Sequence, residues 1–453
     1  MSITLTPPAG MILRPGDPGW GDARQAWNLA TDQQPAAIAF PRSPAEVAAA
    51  VGFARQSGLR VAAQATAYNA ALLGSLDGTL LIKTSEMRQV TVDPAAMTAR
   101  VAAGASWGDV TAAAAQHGLA GLAAPWPGVG VVGYTLGGGM SWFGRSYGLS
   151  ANNVSAVDLV TADGELRRAD LSSEPELFWA LRGGGGSFGV VTAMELWLFP
   201  VTEVYAGQLW WPMHAAPSVL PAWRELTQSG LPDEFTTSIR LMRFPVLPSI
   251  PEAVRGRWFV IADVVHNGPV PEADQILRPL RALAPMRDTV GTRPAHALGR
   301  LRDDYERPVP GVADGLMLAS LPLEAIDRIL LAAGPGTLSL LTTVELRLAG
   351  GELRRARPGN GALAAVDGQY LLSAAGRTAT RAAAVSAARG VEAVISALRQ
   401  WSARQMYLNI AGPNRDPASF WPARTYARLR RIKAAVDPDN LIRSNHPIPP
   451  AVT

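Results

Sequence analysis

Cysteine is absent from the 453 residues. That excludes disulfides, thiolate metal sites and cysteine nucleophiles together, along with any cysteinyl link to a prosthetic group. Lysine is nearly absent: Lys83 and Lys433 are the only two, so arginine carries almost all of the positive charge. The formal net charge is only +4, and no Lys/Arg run of five or more offers a nucleic-acid or membrane footprint. The five histidines (His117, His214, His266, His296, His446) show no metal-ligand spacing, and structural roles are expected for all but His446, which keeps a functional possibility. No apolar run approaches the roughly 18 residues of a membrane span. Met1–Pro8 lacks the basic and apolar regions of a signal peptide, so a cytoplasmic enzyme is expected, with no nucleic-acid or membrane partner.

What is present suits a globular protein of two to four domains: 48% hydrophobic and 17% charged residues, without an internal repeat. Ser43-Pro-Ala-Glu46 opens a helix with an N-cap, a proline at the first turn and a capping box, and Gly58 closes it. A second helix runs from Ser106 to His117, and a third starts at Ser173–Glu176 and ends at Gly183. Short apolar strands at 59–63, 79–83, 90–92, 99–102 and 154–162 alternate with them, a mixed α/β pattern. From about residue 205 longer strands are expected at 208–211, 236–242, 257–265, 338–348 and 369–375. Helices near 271–284, 322–332 and 379–401 lie between them, suggesting an antiparallel sheet with helices on one face. Residues 307–311 and 355–361 read as loops. The tail reads as a strand over 406–410, a helix over 423–436 and an extended closing segment, 438–450.

Two motifs match by letter and fail by context. Gly128-Val-Gly-Val-Val-Gly133 fits the dinucleotide fingerprint, but Pro125-Trp-Pro precedes it where a strand belongs and no acid follows at the required distance, so a turn is expected. Gly185-Gly-Ser-Phe-Gly189 fits a nucleophile elbow but leaves a helix and enters a strand, the reverse of the required order. Ser187 is therefore expected to be a turn residue.

The glycines themselves carry more information. Gly133–Gly139 and Arg182–Val191 are two glycine-rich blocks separated by Tyr147-Gly-Leu-Ser-Ala-Asn-Asn153, and glycine lets backbone N–H groups approach a ligand closely. In this order and spacing the chain resembles the berberine bridge enzyme-like branch of the vanillyl alcohol oxidase superfamily, with its PCMH-type FAD-binding fold. Leu13–Gly19 with Trp27-Asn28, Pro41–Val47, Val344–Gly351, Tyr426–Lys433, Asp437–Leu441 and Arg443–Ile448 extend the resemblance over nearly the whole chain. It implies an α+β fold: a two-part FAD-binding domain, 1–205 plus 405–453, and a substrate domain, 206–404, with an antiparallel sheet flanked by helices. It further implies FAD lined by Pro127, Gly128, Val129, Gly130, Gly133, Gly137, Gly138, Gly139 and Met140, anchored by Asn153. Gly189, Val190 and Val191 would lie beside the adenine half, with Asn445 and His446 near the ring. Tyr407 and Asn409 match the family's Tyr-x-Asn pair, in which the tyrosine commonly takes a proton from substrate. A phenol near pKa 10 needs a neighbouring positive charge to do so.

One segment departs from the family. Its pyrophosphate loop usually reads Gly-x-Gly-His, the histidine joined to the flavin; here the stretch is Gln64-Ala65-Thr66-Ala67-Tyr68-Asn69. The second attachment position, a cysteine in some members, falls on Gly130. Neither usual bond can form. One reading is non-covalent FAD in a loop whose alanines avoid positive φ. The other is a redox-neutral cyclase or lyase that reuses the fold with flavin absent or structural, Tyr68 then presenting its hydroxyl to substrate. The resemblance implies an oxidoreductase acting on a small secondary-metabolite, alcohol or sugar substrate, with molecular oxygen as acceptor.

Overall fold

The computed structural model describes residues 7–452 apart from Ala9, Ser249, 303–307, 338–340 and Asn414. Thus Arg307 and the start of the strand expected at 338 lie outside the described residues. Three sheets organise the chain. The first joins Ile12–Leu13, Ala37–Ala39, Thr79–Lys83, Arg60–Gln64 and Ile442–Arg443 in that order; all pairings but the first are parallel. The helix Pro44–Gln56 covers it, burying Val47, Val51 and Ala54. Ser43 Oγ accepts from Glu46 N at 3.3 Å, but the Glu46 carboxylate takes the N–H of Arg42 rather than of Ser43, so the expected capping box closes one residue early. At Ser106 and Asp109, by contrast, a full capping box opens the helix Trp107–Ala115.

The second sheet is antiparallel, ordered Val90–Asp93, Thr98–Ala102, Val190–Trp197, Val154–Val160 and Leu166–Ala169. The third has eight strands. Its path runs Arg287–Asp288, Glu203–Pro212, Trp258–His266, Phe235–Arg243, Leu341–Leu348, Tyr370–Arg377 and Gly311–Leu318, with Gly291–Pro294 also pairing Glu203–Pro212. Side chains alternate across a strand, and here one set (Leu209, Ile239, Val264, Leu346, Leu372) packs on four helices, Ala216–Gln228, Val270–Arg281, Leu323–Ala333 and Arg381–Leu398. The other set includes Arg240, Asp263, Glu345, Arg347 and Ser373. Arg347 Nη1 donates to Met140 O at 3.3 Å, so this polar face looks onto the glycine-rich part of the chain.

Three expectations need correction, and one helix falls where none was stated. The helix Ala216–Gln228 contains Pro217 and Pro221, yet its apolar spacing, Val219, Leu220, Trp223 and Leu226, is helical. Gly311 begins the strand Gly311–Leu318 instead of ending a loop. Residues 131–136 form a short helix, so the glycine fingerprint is a turn only before Val131. Finally, Met406–Ile410 is a turn, not a strand, closed by Ile410 N to Tyr407 O at 3.2 Å. Among the described residues no helix is long and apolar enough to cross a membrane.

Candidate active site

A cavity of about 450 Å³ lies between the polar face of the eight-stranded sheet and the two smaller sheets. That size suits a small-molecule or cofactor site. Gln64, Ala65, Thr66, Ala67, Tyr68 and Asn69 all line it, at the C-terminal end of the parallel strand Arg60–Gln64. Val129, Gly130, Gly133, Gly137 and Met140 form a second wall, Gly189 and Val191 a third, and Asn445 with His446 a fourth. Tyr407 and Asn409 face it from the turn at 407–410.

The remaining expected residues stand behind the wall. Pro127 and Gly128 pack on Gly108 and the Trp126 indole, and Trp126 reaches the cavity in their place. Gly138 makes room for Leu363 and the Tyr407 ring, and Gly139 for Tyr134 and Ser150. Val190 is fully buried in the core beneath the first sheet. Asn153 donates to Tyr147 O (3.0 Å) and Leu149 O (2.9 Å), so its amide nitrogen shapes its own loop. Gly137 has a local reason: a Cβ there would overlap the Asn409 amide oxygen. Glu345, Arg347, Leu371 and Ser373 also line the cavity. Sequence reading missed them because they lie one per alternate position on strands whose other face forms the core.

The 64–69 loop shows what the alanines cost. Ala67 adopts φ +56°, so the expectation that this loop avoids positive φ is wrong at that residue. A left-handed alanine costs roughly 1–2 kcal/mol. Ala67→Gly is expected to raise stability by about 0.5–1 kcal/mol, the relief being offset in part by chain entropy, as thermal denaturation would register. The loop is braced at Thr66, whose hydroxyl accepts the Gly130 N–H at 3.1 Å. Tyr68 is 44% exposed and stacks on Trp27, ring centroids 5.2 Å apart and planes 20° apart.

The cavity is chemically prepared for a ligand with both donors and acceptors. Among the described residues, the N–H groups of Thr66, Ala67 and Asn69 donate to no protein group. Gln64 Oε1 and Trp126 Nε1 are buried on the wall without a partner. Gly133 and Gly185 would place a Cβ in open space. Successive free N–H groups suit phosphate oxygens, and an FAD fits this set of groups.

Tyr407 is buried, and Asn409 Nδ2 donates to its hydroxyl at 3.3 Å while also holding Tyr134 O at 2.9 Å. Burial pushes the phenol well above its ordinary pKa; Asn409, Arg347 and the backbone of Gly139 and Met140 pull the other way and do not prevail. The positive charge required of a tyrosine base is therefore present in Arg347 but is outweighed. His446 Nε2 contacts Leu408 O at 3.1 Å and its ring lies 4.4 Å from that of Phe420; burial lowers its pKa to about 4, so it is neutral at pH 7. Behind the wall, Asp263 accepts from Gln208, Ser238, Arg240 and Arg302, and Arg302 and Arg347 both hold Glu345. Desolvation would raise both carboxylates, but the guanidiniums hold them below their ordinary values. Glu345 is thus an ionised partner of arginine and a poor proton acceptor. Ser187 is a buried brace: its hydroxyl meets Ser444 Oγ at 2.7 Å and accepts Ile448 N at 3.1 Å, fixing the closing segment.

Residues 35–170 match the family profile described as "FAD binding domain", and residues 406–449 the one described as "Berberine and berberine like". The two matched segments are those of the berberine bridge enzyme-like FAD-linked oxidoreductases, which the chain resembles in its FAD-binding and closing regions. Similar to this chain is (R)-6-hydroxynicotine oxidase of Paenarthrobacter nicotinovorans, 34% identical over 223 residues, 48% of each chain. Glucooligosaccharide oxidase of Sarocladium strictum is 31% identical over 229 residues, 49% of this chain and 46% of the other. The matched stretch spans about half the length of these curated relatives. Among solved structures, the fold is shared with 6-hydroxy-D-nicotine oxidase of Arthrobacter nicotinovorans (TM-score 0.84, 24% identity, 100% of both chains). It is shared too with Physcomitrella patens BBE-like 1 (TM-score 0.85, 20% identity, 98% of this chain and 97% of the other).

Proposed function

We propose that this chain is an FAD-dependent oxidase that binds its flavin non-covalently and oxidises a small-molecule alcohol, sugar or secondary metabolite, with molecular oxygen as acceptor. The observation carrying the proposal is a single cavity that joins the free N–H groups of Thr66, Ala67 and Asn69 to the Tyr407 phenol. In this reading 1–205 and 405–453 hold the cofactor and 206–404 faces the substrate, in a cytoplasmic enzyme. The activities for which the relatives are named, on a hydroxynicotine and on oligosaccharides, support oxidation of a small molecule without naming this one.

Bound flavin would supply a two-electron acceptor for oxidation of a substrate C–H bond. The protein's part is orientation, exclusion of water and handling of the proton. The 64–69 loop and Gly133 hold the cofactor by backbone groups. Leu371 and Met140 contribute apolar surface. The Tyr407 hydroxyl is the group that would take the proton from the reacting oxygen or nitrogen, and Asn409 keeps the phenol in place. As a base, Tyr407 must first be deprotonated. Its raised pKa means that this form grows about tenfold per pH unit below the pKa, so flavin reduction by substrate should still be climbing at pH 10.

Tyr68 and Gly130 stand where the family's flavin attachments occur, and neither can form the usual bond. Purified protein should be yellow and lose its colour to the supernatant on acid precipitation. Colour remaining in the pellet would overturn non-covalent binding. Colourless protein that ignores added FAD would overturn the oxidase reading and favour the redox-neutral one.

A further inference from the structure

Residues 24–29 form a strap that crosses from the first sheet to the edge of the eight-stranded sheet. At one end Lys83 Nζ, on the strand Thr79–Lys83, donates to Gln25 O at 3.0 Å. At the other, Leu29 N donates to Val309 O at 3.3 Å, and the Asn28 side chain pairs with the Gly311 backbone in both directions. Asn28 Nδ2 donates to Gly311 O at 2.8 Å, and Gly311 N donates to Asn28 Oδ1 at 3.0 Å. The amide thus pairs as a strand residue would with Gly311–Leu318, the edge strand of its sheet. Between these two anchors stands Trp27, stacked on the cavity-lining Tyr68. The strap therefore connects the 64–69 loop on one side of the cavity to the sheet on the other.

We propose that Trp27, clamped by Asn28 and stacked on Tyr68, is a cofactor-retaining residue that holds the 64–69 loop closed on the dinucleotide in place of a covalent tether. This rests on the flavin reading above. The loop needs such support: it carries a left-handed alanine, and among the described residues the N–H groups of Thr66, Ala67 and Asn69 donate to no protein group. An aromatic stack contributes about 0.5–1.5 kcal/mol beyond area burial. The two Asn28 hydrogen bonds contribute a comparable amount each. Each device alone is modest; joined through adjacent residues they act on one loop. Trp27 lies outside the cavity lining, so its effect on the cofactor runs through Tyr68.

The test measures FAD dissociation from the holoenzyme by the return of free-flavin fluorescence on dilution, together with FAD affinity of the apoprotein. Trp27→Ala is expected to speed release about tenfold, and Asn28→Ala about five- to tenfold, from the energies just given. Trp27→Phe, which keeps an aromatic face, should restore most of the retention. The double variant Trp27→Ala with Tyr68→Ala should release no faster than Tyr68→Ala alone, because both act through one contact. Thermal denaturation of the apoproteins identifies any variant that fails to fold, and Trp27→Phe then carries the comparison with wild type. Release rates of Trp27→Ala and Asn28→Ala within twofold of a flavin-binding wild type would overturn the clasp and leave the flavin reading standing. A wild-type apoprotein with no affinity for FAD would overturn both.

Discussion

Asp263→Ala should lower the unfolding free energy by about 3–5 kcal/mol, the cost of removing one partner from a buried ionic network. The residue is fully buried and accepts from four side chains: Gln208 Nε2 and Ser238 Oγ at 2.8 Å, Arg240 Nε at 3.0 Å and Arg302 Nη2 at 2.8 Å. Removing it leaves Arg240, Arg302 and Arg347 sharing one carboxylate, Glu345, on the described part of that face. The effect should depend on pH with a definite sign. The Asp263 carboxyl titrates below its ordinary value in the folded state, so its stabilisation is complete above the unfolded value near 4 and is lost as pH falls through the lower folded value. Urea denaturation at pH 7 and pH 3 would show it as a penalty that shrinks in acid. A loss under 1 kcal/mol at pH 7 would mean that the arginines relax to solvent and that the sheet face is softer than described.

The second large effect belongs to chemistry. Tyr407→Phe should slow substrate-driven flavin reduction by about 10²–10⁴-fold, the usual range for a positioned proton-transfer group, while FAD affinity stays near wild type. The hydroxyl is held by Asn409 and the ring packs against Gly138, so phenylalanine removes the donor and keeps the shape. The climb of the rate with pH should vanish in this variant, since the group whose deprotonation it follows is gone. Stopped-flow reduction from pH 6 to pH 10 under anaerobic conditions reads both quantities. An unchanged slope in the variant would assign the titrating group elsewhere. Asn409→Ala offers a milder comparison: the Tyr407 oxygen loses one donor, which lowers its tendency to ionise, so the rate should fall without loss of the slope.

The two outcomes also indicate which parts of this molecule could be read in its sequence. Two of the strands in parallel pairings were legible as short apolar runs: Thr79–Lys83 matches to the residue and Arg60–Gln64 within one, whereas Ala37–Ala39 and Ile442–Arg443 are too short to stand out. The helix Ala423–Val436 matches as well. The helix Ala216–Gln228 did not, because two prolines masked an apolar stripe that a count of every third and fourth residue would have recovered. In the site, the loop 64–69 and the wall residues Val129, Gly130, Gly133 and Gly137 were visible as a departure from, and a match to, a known pattern. Asn153 and Val190 belonged to the same pattern yet face away, since a motif specifies a segment while backbone direction decides which of its side chains reach the cavity. Arg347, Glu345 and Ser373 left no local signal. Their function depends on pairing between strands far apart in the chain, and Arg347 acquires its place only by reaching Met140 O across the interface.

The strand Ile442–Arg443 lies beside Arg60–Gln64, and Ser444, Asn445 and His446 complete the cavity wall begun by residues 64–69. Segments about 380 residues apart must therefore meet before the cofactor has a site, since Ile442 pairs with Val61. A chain in which Ile442–Arg443 has not docked would have the glycine blocks and the 64–69 loop without the strand and wall that finish them. Flavin capture would thereby wait on this long-range pairing, and its onset would report that the strand has docked.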